Sequence, residues 1–175
     1  MRSKLSPMKE IKITALIEEY TPDELPAQFA GLVDAAKAAT LRAHAPYSKF
    51  HVGAAILLAD GSVVAGANQE NAAFSSGTCA ERSACFFAAS QYPGVAFSKI
   101  AIAAFAEPEG FTPGKASVAE VPFQKTPISP CGSCRQALLE YEAMYGDIQV
   151  ILYGSERVYV LPSIKSLLPL CFTEF

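Results

Sequence analysis

The sequence predicts an α/β protein: a mixed sheet of five strands covered by helices. Three observations carry this. Short apolar runs rich in Ile, Val and Ala recur at 51–58, 62–68, 99–105, 149–153 and 157–161. Segments with apolar residues at helical spacing lie among them, with an Asp60-Gly61 hairpin turn between the first two runs. Two hairpin strands followed by alternating helices and strands imply a sheet with helices packed on it.

The first helix should begin near Thr21-Pro22-Asp23-Glu24, where a Thr cap precedes a proline and two acids complement the helix dipole. Leu25, Phe29, Leu32, Val33 and Ala36 then mark its buried stripe, and Pro46 ends the element. Ahead of it, 11–17 alternates weakly and is a candidate edge or interface strand. A second helix is expected from about Cys79 to Ser90, stopped by Pro93-Gly94. Residues 107–127 contain Pro108, Pro113, Pro122 and Pro127 among polar residues, which reads as a surface loop. A third helix is expected from Ser129-Pro130 to about Tyr145, and a short helix near 163–168.

The chain has 175 residues, 51% of them hydrophobic and 18% charged, which suits one domain with residues 1–21 as an extension. A net charge of −3 without a basic run argues against a nucleic-acid surface. No apolar stretch approaches the roughly 20 residues of a membrane span. Met1 to Pro7 lacks the apolar region of a secretory leader, and the cysteines number five, so a cytoplasmic chain with reduced thiols is expected.

Two cysteine phrases point to chemistry: Cys79-Ala80-Glu81-Arg82 and Pro130-Cys131-Gly132-Ser133-Cys134. Three cysteines supply three soft ligands for zinc and leave the fourth tetrahedral position for water, which distinguishes a catalytic site from a closed structural one. Cys131 and Cys134, three apart, share one face of a helix. Glu81, two residues from a ligand, can reach that water as a proton shuttle without occupying the metal. Three thiolates exceed the charge of one zinc ion, and two helix N-termini with Arg82 beside the sulfurs would offset the excess. Cys85 and Cys171 read as small buried hydrophobes, and His44 and His51 as structural. Arg135 and Gln136 read as hydrogen-bonders at a helix start.

The phrases, in order with Tyr47-Ser48-Lys49-Phe50-His51-Val52-Gly53-Ala54-Ala55, Asn68-Gln69-Glu70-Asn71-Ala72-Ala73-Phe74 and Arg135-Gln136, resemble the cytidine deaminase family over roughly residues 25–170. The compact nucleoside-acting members with a Cys as first ligand are the nearest pattern. The resemblance implies a three-layer α/β/α fold, one zinc ion per subunit and hydrolytic deamination of cytidine and 2′-deoxycytidine. It implies that Asn68 and Glu70 bind ribose hydroxyls, that Phe50 packs on the pyrimidine, and that the Ala80 N–H binds the base carbonyl. It also implies that Arg82 donates to the sulfurs, that the assembly is a homotetramer, and that Phe172 reaches a neighbouring subunit's site. Phe74 stands where the family often has tyrosine. A deaminase of a nucleoside antibiotic such as blasticidin S, and a zinc-stabilised module without catalysis, are the alternatives.

Overall fold

The computed structural model describes residues 8–173; Met1 to Pro7, read above for a leader, lie outside the described residues. Six strands form one sheet in the order β1-β6-β5-β4-β2-β3. They are β1 (Glu18–Tyr20), β2 (Phe50–Leu58), β3 (Val63–Ala67), β4 (Phe97–Ala106), β5 (Gln149–Tyr153) and β6 (Val158–Leu161). Only β4 and β5 run parallel, joined through helix α3 (Gly132–Tyr145); the other neighbours are antiparallel. Helices α1 (Ala27–Thr40) and α2 (Ala80–Gln91) complete the layers.

The sheet therefore has one strand more than the five expected. The extra edge strand is β1, where Glu18 to Tyr20 pair with Val160 to Val158. The weakly alternating 11–17 segment is exposed and forms no strand. Polar Glu18-Glu19 hid β1 from a search for apolar runs, since pairing at an exposed edge rests on backbone hydrogen bonds rather than buried side chains. Arg157 pairs with Glu19 across that edge.

Two further starts differ from expectation. Thr21 caps only a 3-10 turn, Pro22–Glu24, with the Glu24 carboxylate accepting from the Thr21 N–H and hydroxyl. Pro26 then interrupts, because it has no N–H to continue the ladder, and α1 begins at Ala27. Helix α3 begins at Gly132 rather than at Pro130, which makes Cys131 its N-cap. The Ser129 hydroxyl lies two residues ahead of that cap and accepts from Arg135 Nη2 at 2.9 Å. The short C-terminal helix is a 3-10 turn, Ile164–Leu167.

The core lies on both faces of the sheet. One face packs Phe29, Leu32, Val33 and Ala36 of α1 against Ala55, Ala101, Ala103 and Ile151. The other packs Ala80, Ala84, Cys85 and Ala88 of α2 with Leu138 and Leu139 of α3 on Ile56, Ile100 and Ile102. Two glycines set how closely the helices approach. A Cβ at Gly53 would sit 2.1 Å from Ala36 O, and one at Gly66 would sit 2.5 Å from Ala84 N. Side chains at these two strand positions would collide with helix backbone, so α1 and α2 lie directly on the sheet.

The 107–127 loop is fastened to β2. Glu107 N–H donates to Lys49 O at 2.8 Å. Its carboxylate meets His51 Nε2 at 3.1 Å and Lys49 Nζ at 3.5 Å. The His51 ring is buried, stacked on Phe105 at 4.7 Å with Phe111 at its edge, which gives it the structural setting its strand position suggests.

Candidate active site

Helices α2 and α3 bring their N-termini together over one end of the sheet. Cys79 is the N-cap of α2, Cys131 is the N-cap of α3, and Cys134 lies one turn into α3. The three sulfurs lie within 4.8 Å of one another. Cys79 Sγ and Cys131 Sγ are 3.9 Å apart, and Cys131 Sγ and Cys134 Sγ are 3.5 Å apart. Zn–S bonds of about 2.3 Å at tetrahedral angles put neighbouring sulfurs about 3.8 Å apart. The cluster fits one zinc ion on that measure.

Electrostatics fit as well. Burial raises the Cys79 and Cys134 thiol pKa values, the latter far above the ordinary thiol range, so the cluster resists ionisation on its own. At Cys131 burial is outweighed by hydrogen bonds from the Cys134 backbone and from the other two thiols, and the net shift is downward. A divalent cation supplies the missing compensation, since a coordinating thiol is deprotonated outright. Arg82 Nη2 lies 3.8 Å from Cys79 Sγ, and Arg82 Nε is buried without a partner among the described residues. Ionised sulfurs give this guanidinium the acceptors it otherwise lacks. Among the described residues no fourth Cys or His joins the cluster: Cys85 is buried in the core, its thiol pushed up to about 12 by burial.

Beside the sulfurs opens a cavity of about 430 Å³, within the size range of small-molecule sites. Cys79, Ala80, Glu81 and Cys131 form its metal-side wall, and Phe50, Val52, Asn68, Glu70 and Phe74 the facing one. Glu81, 4% exposed, has its carboxyl pKa raised by burial. Ala80 is the first residue of α2, so its N–H has no acceptor within the helix.

The facing wall is held by side chains that bond to backbone. Asn68 Oδ1 accepts from Val52 N–H at 2.8 Å, and Asn68 Nδ2 donates to Phe50 O at 2.9 Å. Glu70 Oε2 accepts from the Tyr47 and Ser48 N–H groups at 2.9 and 3.2 Å. The Ser48 hydroxyl, with these two N–H groups, lowers the Glu70 pKa against an opposing desolvation.

Phe172 stands apart from this cavity, exposed near the end of the described chain, its carbonyl accepting from Gln136 Nε2 at 2.9 Å. Thr78, Ile128 and Ser129 also line the cavity and were not singled out in the sequence. The sequence carries no signal for the Ser129 hydroxyl, because its partner Arg135 is set by the fold.

A buried carboxylate beside an open three-sulfur metal site, in an α/β sandwich, defines a zinc-dependent hydrolytic enzyme. Comparison with known proteins narrows the class. Residues 28–146 match the model of the cytidine and deoxycytidylate deaminase zinc-binding region, and the chain belongs to that family. It is 38% identical over 143 residues to a cytidine deaminase from Sporosarcina psychrophila, covering 82% of this chain and 90% of that one. A probable cytidine deaminase from Dictyostelium discoideum is 32% identical over 142 residues, with 81% and 82% covered. The fold superposes on a crystal structure of cytidine deaminase from Burkholderia pseudomallei with a TM-score of 0.62 at 38% identity, covering 82% of this chain and 98% of that one.

Proposed function

We propose that the protein catalyses the hydrolytic deamination of cytidine and 2′-deoxycytidine to uridine and 2′-deoxyuridine, water replacing the 4-amino group and ammonia leaving. The observation that carries this reading is one nucleoside-sized cavity lined by Glu81 and by Cys79 and Cys131 of the three-sulfur cluster. Cys79, Cys131 and Cys134 hold the zinc ion, which when bound brings the pKa of water from 15.7 towards about 7.

The chain's own residues do the rest. Glu81 takes a proton from the attacking water and delivers it to ring N3, which makes C4 more electrophilic. Glu81 then takes the remaining proton of the oxygen added at C4 and passes it to the amino group. The C4–N bond breaks, ammonia leaves and the C4 carbonyl forms, so one carboxyl serves as base and acid in turn. Burial suits Glu81 to this, because a raised carboxyl pKa lets it hold a proton between steps. The free Ala80 N–H binds the base carbonyl, and Phe50 packs on the ring. Asn68 and Glu70 bind the sugar hydroxyls: Asn68 keeps a second amide hydrogen beyond the one given to Phe50 O, and the Glu70 carboxylate has acceptor capacity beyond the Tyr47 and Ser48 N–H groups it receives. Arg82 offsets sulfur charge at Cys79.

On this reading the protein works in pyrimidine salvage as a cytoplasmic homotetramer, with Phe172 directed to a neighbouring subunit. Exposed Phe86 and Phe87 on α2 support a covered face there. Among the described residues no helix is long and apolar enough to cross a membrane. The deciding experiment combines zinc analysis with the fall in cytidine absorbance and the release of ammonia on adding purified protein. A zinc-loaded protein that leaves cytidine and deoxycytidine unchanged would reject the reading, and turnover of blasticidin S alone would redirect it.

A further inference from the structure

The three sulfurs are not equally secured. Cys134 is buried within α3 and Cys79 is half-buried, whereas Cys131 is exposed at the end of a segment, 124–131, that belongs to no helix or strand. Pro127 and Pro130 remove two backbone donors from that segment. Backbone bonds hold its start, with Gln124 N–H donating to Ala104 O and the Ser155 and Glu156 N–H groups donating to Gln124 O and Lys125 O. The backbone of 126–130 makes no such bond among the described residues, so the polar hold next to Cys131 comes from a side chain.

That side chain is Arg135. Its Nε donates to Pro130 O at 2.8 Å, its Nη2 to Ser129 Oγ at 2.9 Å and its Nη1 to Leu167 O at 2.6 Å. Two of these acceptors belong to the residues immediately before Cys131, and the third belongs to the C-terminal 3-10 turn. That turn is itself fixed: the buried Glu142 carboxylate of α3 accepts from the Ile164 and Lys165 N–H groups. The half-buried guanidinium is thus a three-way tie between the start of α3, the irregular approach to Cys131 and the C-terminal 3-10 turn.

We infer that Arg135 is the positioning residue for Cys131, setting how tightly the protein retains its zinc ion through the Ser129-Pro130 backbone. The inference rests on the reading of the three cysteines as zinc ligands and is independent of which nucleoside is used. Arginine is required by geometry: three donors in a fixed planar fork reach three acceptors in different directions, and a single ammonium cannot reproduce this. Gln136, the next residue, provides the contrast. It holds the tail through Phe172 O and makes no recorded bond to 124–131.

The test is zinc affinity, measured by competition with a chromophoric chelator, together with the thiolate-to-metal absorption of the cobalt-substituted protein. Arg135→Leu and Arg135→Lys should each weaken zinc binding by about 10–100-fold, the usual cost of losing a group that orients a metal ligand. The cobalt band should shift as Cys131 loses its fixed pose. Ser129→Ala, which removes one acceptor and leaves the helix intact, should weaken binding in the same direction by less, and decides the matter if Arg135→Leu does not fold. Gln136→Ala should keep wild-type zinc affinity. Wild-type affinity in Arg135→Lys and Ser129→Ala would overturn the inference, as would an equal loss in Gln136→Ala. A wild-type protein that binds zinc but does not deaminate cytidine would reject the functional reading and leave this one standing.

Discussion

The two walls of the cavity are built by different means. On the metal side, functional atoms come from helix N-termini, where N–H groups lack intrahelical partners and favour negative charge. On the facing side, Asn68 and Glu70 come from the end of β3 and the loop beyond it, and they first satisfy backbone groups of β2 and of 47–48. The first wall presents chemistry that needs a cation to be stable. The second is stable as folded and has only part of its hydrogen-bonding capacity left over. Changes to the metal wall should therefore alter reaction and metal content with the fold preserved, and changes to the facing wall should alter both binding and folding.

The largest effect should come from Cys134→Ala, which removes the buried sulfur of the cluster. Zinc stoichiometry should fall towards zero with deaminase activity, while circular dichroism stays that of a folded α/β protein. Glu81→Ala comes next: zinc content should persist and kcat should drop by about 10²–10⁴-fold, the usual contribution of a positioned acid–base group. Undiminished kcat in that variant would remove Glu81 from the mechanism.

Asn68→Ala should sharpen the contrast. It strands the Val52 N–H and the Phe50 carbonyl, which costs about 1–3 kcal/mol and lowers the melting temperature by roughly 2–12 °C. Its KM for cytidine should rise in parallel, whereas an unchanged melting temperature would mean that these bonds do not hold β2. The smallest effect concerns pH. The folded-state pKa of Glu70 is depressed below the ordinary 4.5, so its contribution to stability is present above that value and is lost as pH falls through the depressed one. Glu70→Gln should flatten the acid limb of the stability curve measured by denaturant midpoints; an identical limb in the variant would show that the carboxylate does not couple there.

How far the sequence reveals each wall follows from the same distinction. Cysteines two residues before a Glu and three apart after a Pro have few purposes besides metal chemistry, and their helices follow from apolar spacing. Strands β2, β4 and β5 announce themselves as apolar runs because both of their faces are buried. What stays hidden is polar. Strand β1 is Glu-Glu-Tyr at an edge, held by backbone pairing that leaves no hydrophobic trace. Helix α3 starts two residues late, and Ser129 bonds instead to Arg135, a partner fixed only by the folded path of the chain. Asn68-Gln69-Glu70-Asn71 reads locally as a polar loop; that two of its side chains grip 47–52 is a fact of tertiary structure.

Gly66 gives the molecule a constraint that reaches from scaffold to reactivity. Helix α2 rests on that bare position of β3, with room for nothing larger than hydrogen. The same helix carries the Cys79 sulfur at its cap and the Glu81 carboxyl in its first turn. Adding even one methyl at 66 would lift both as a rigid unit. Glu81 and Cys79 would then shift relative to Cys131 and Cys134, which α3 holds, so this half-buried position constrains the geometry of the site without contributing a reactive group.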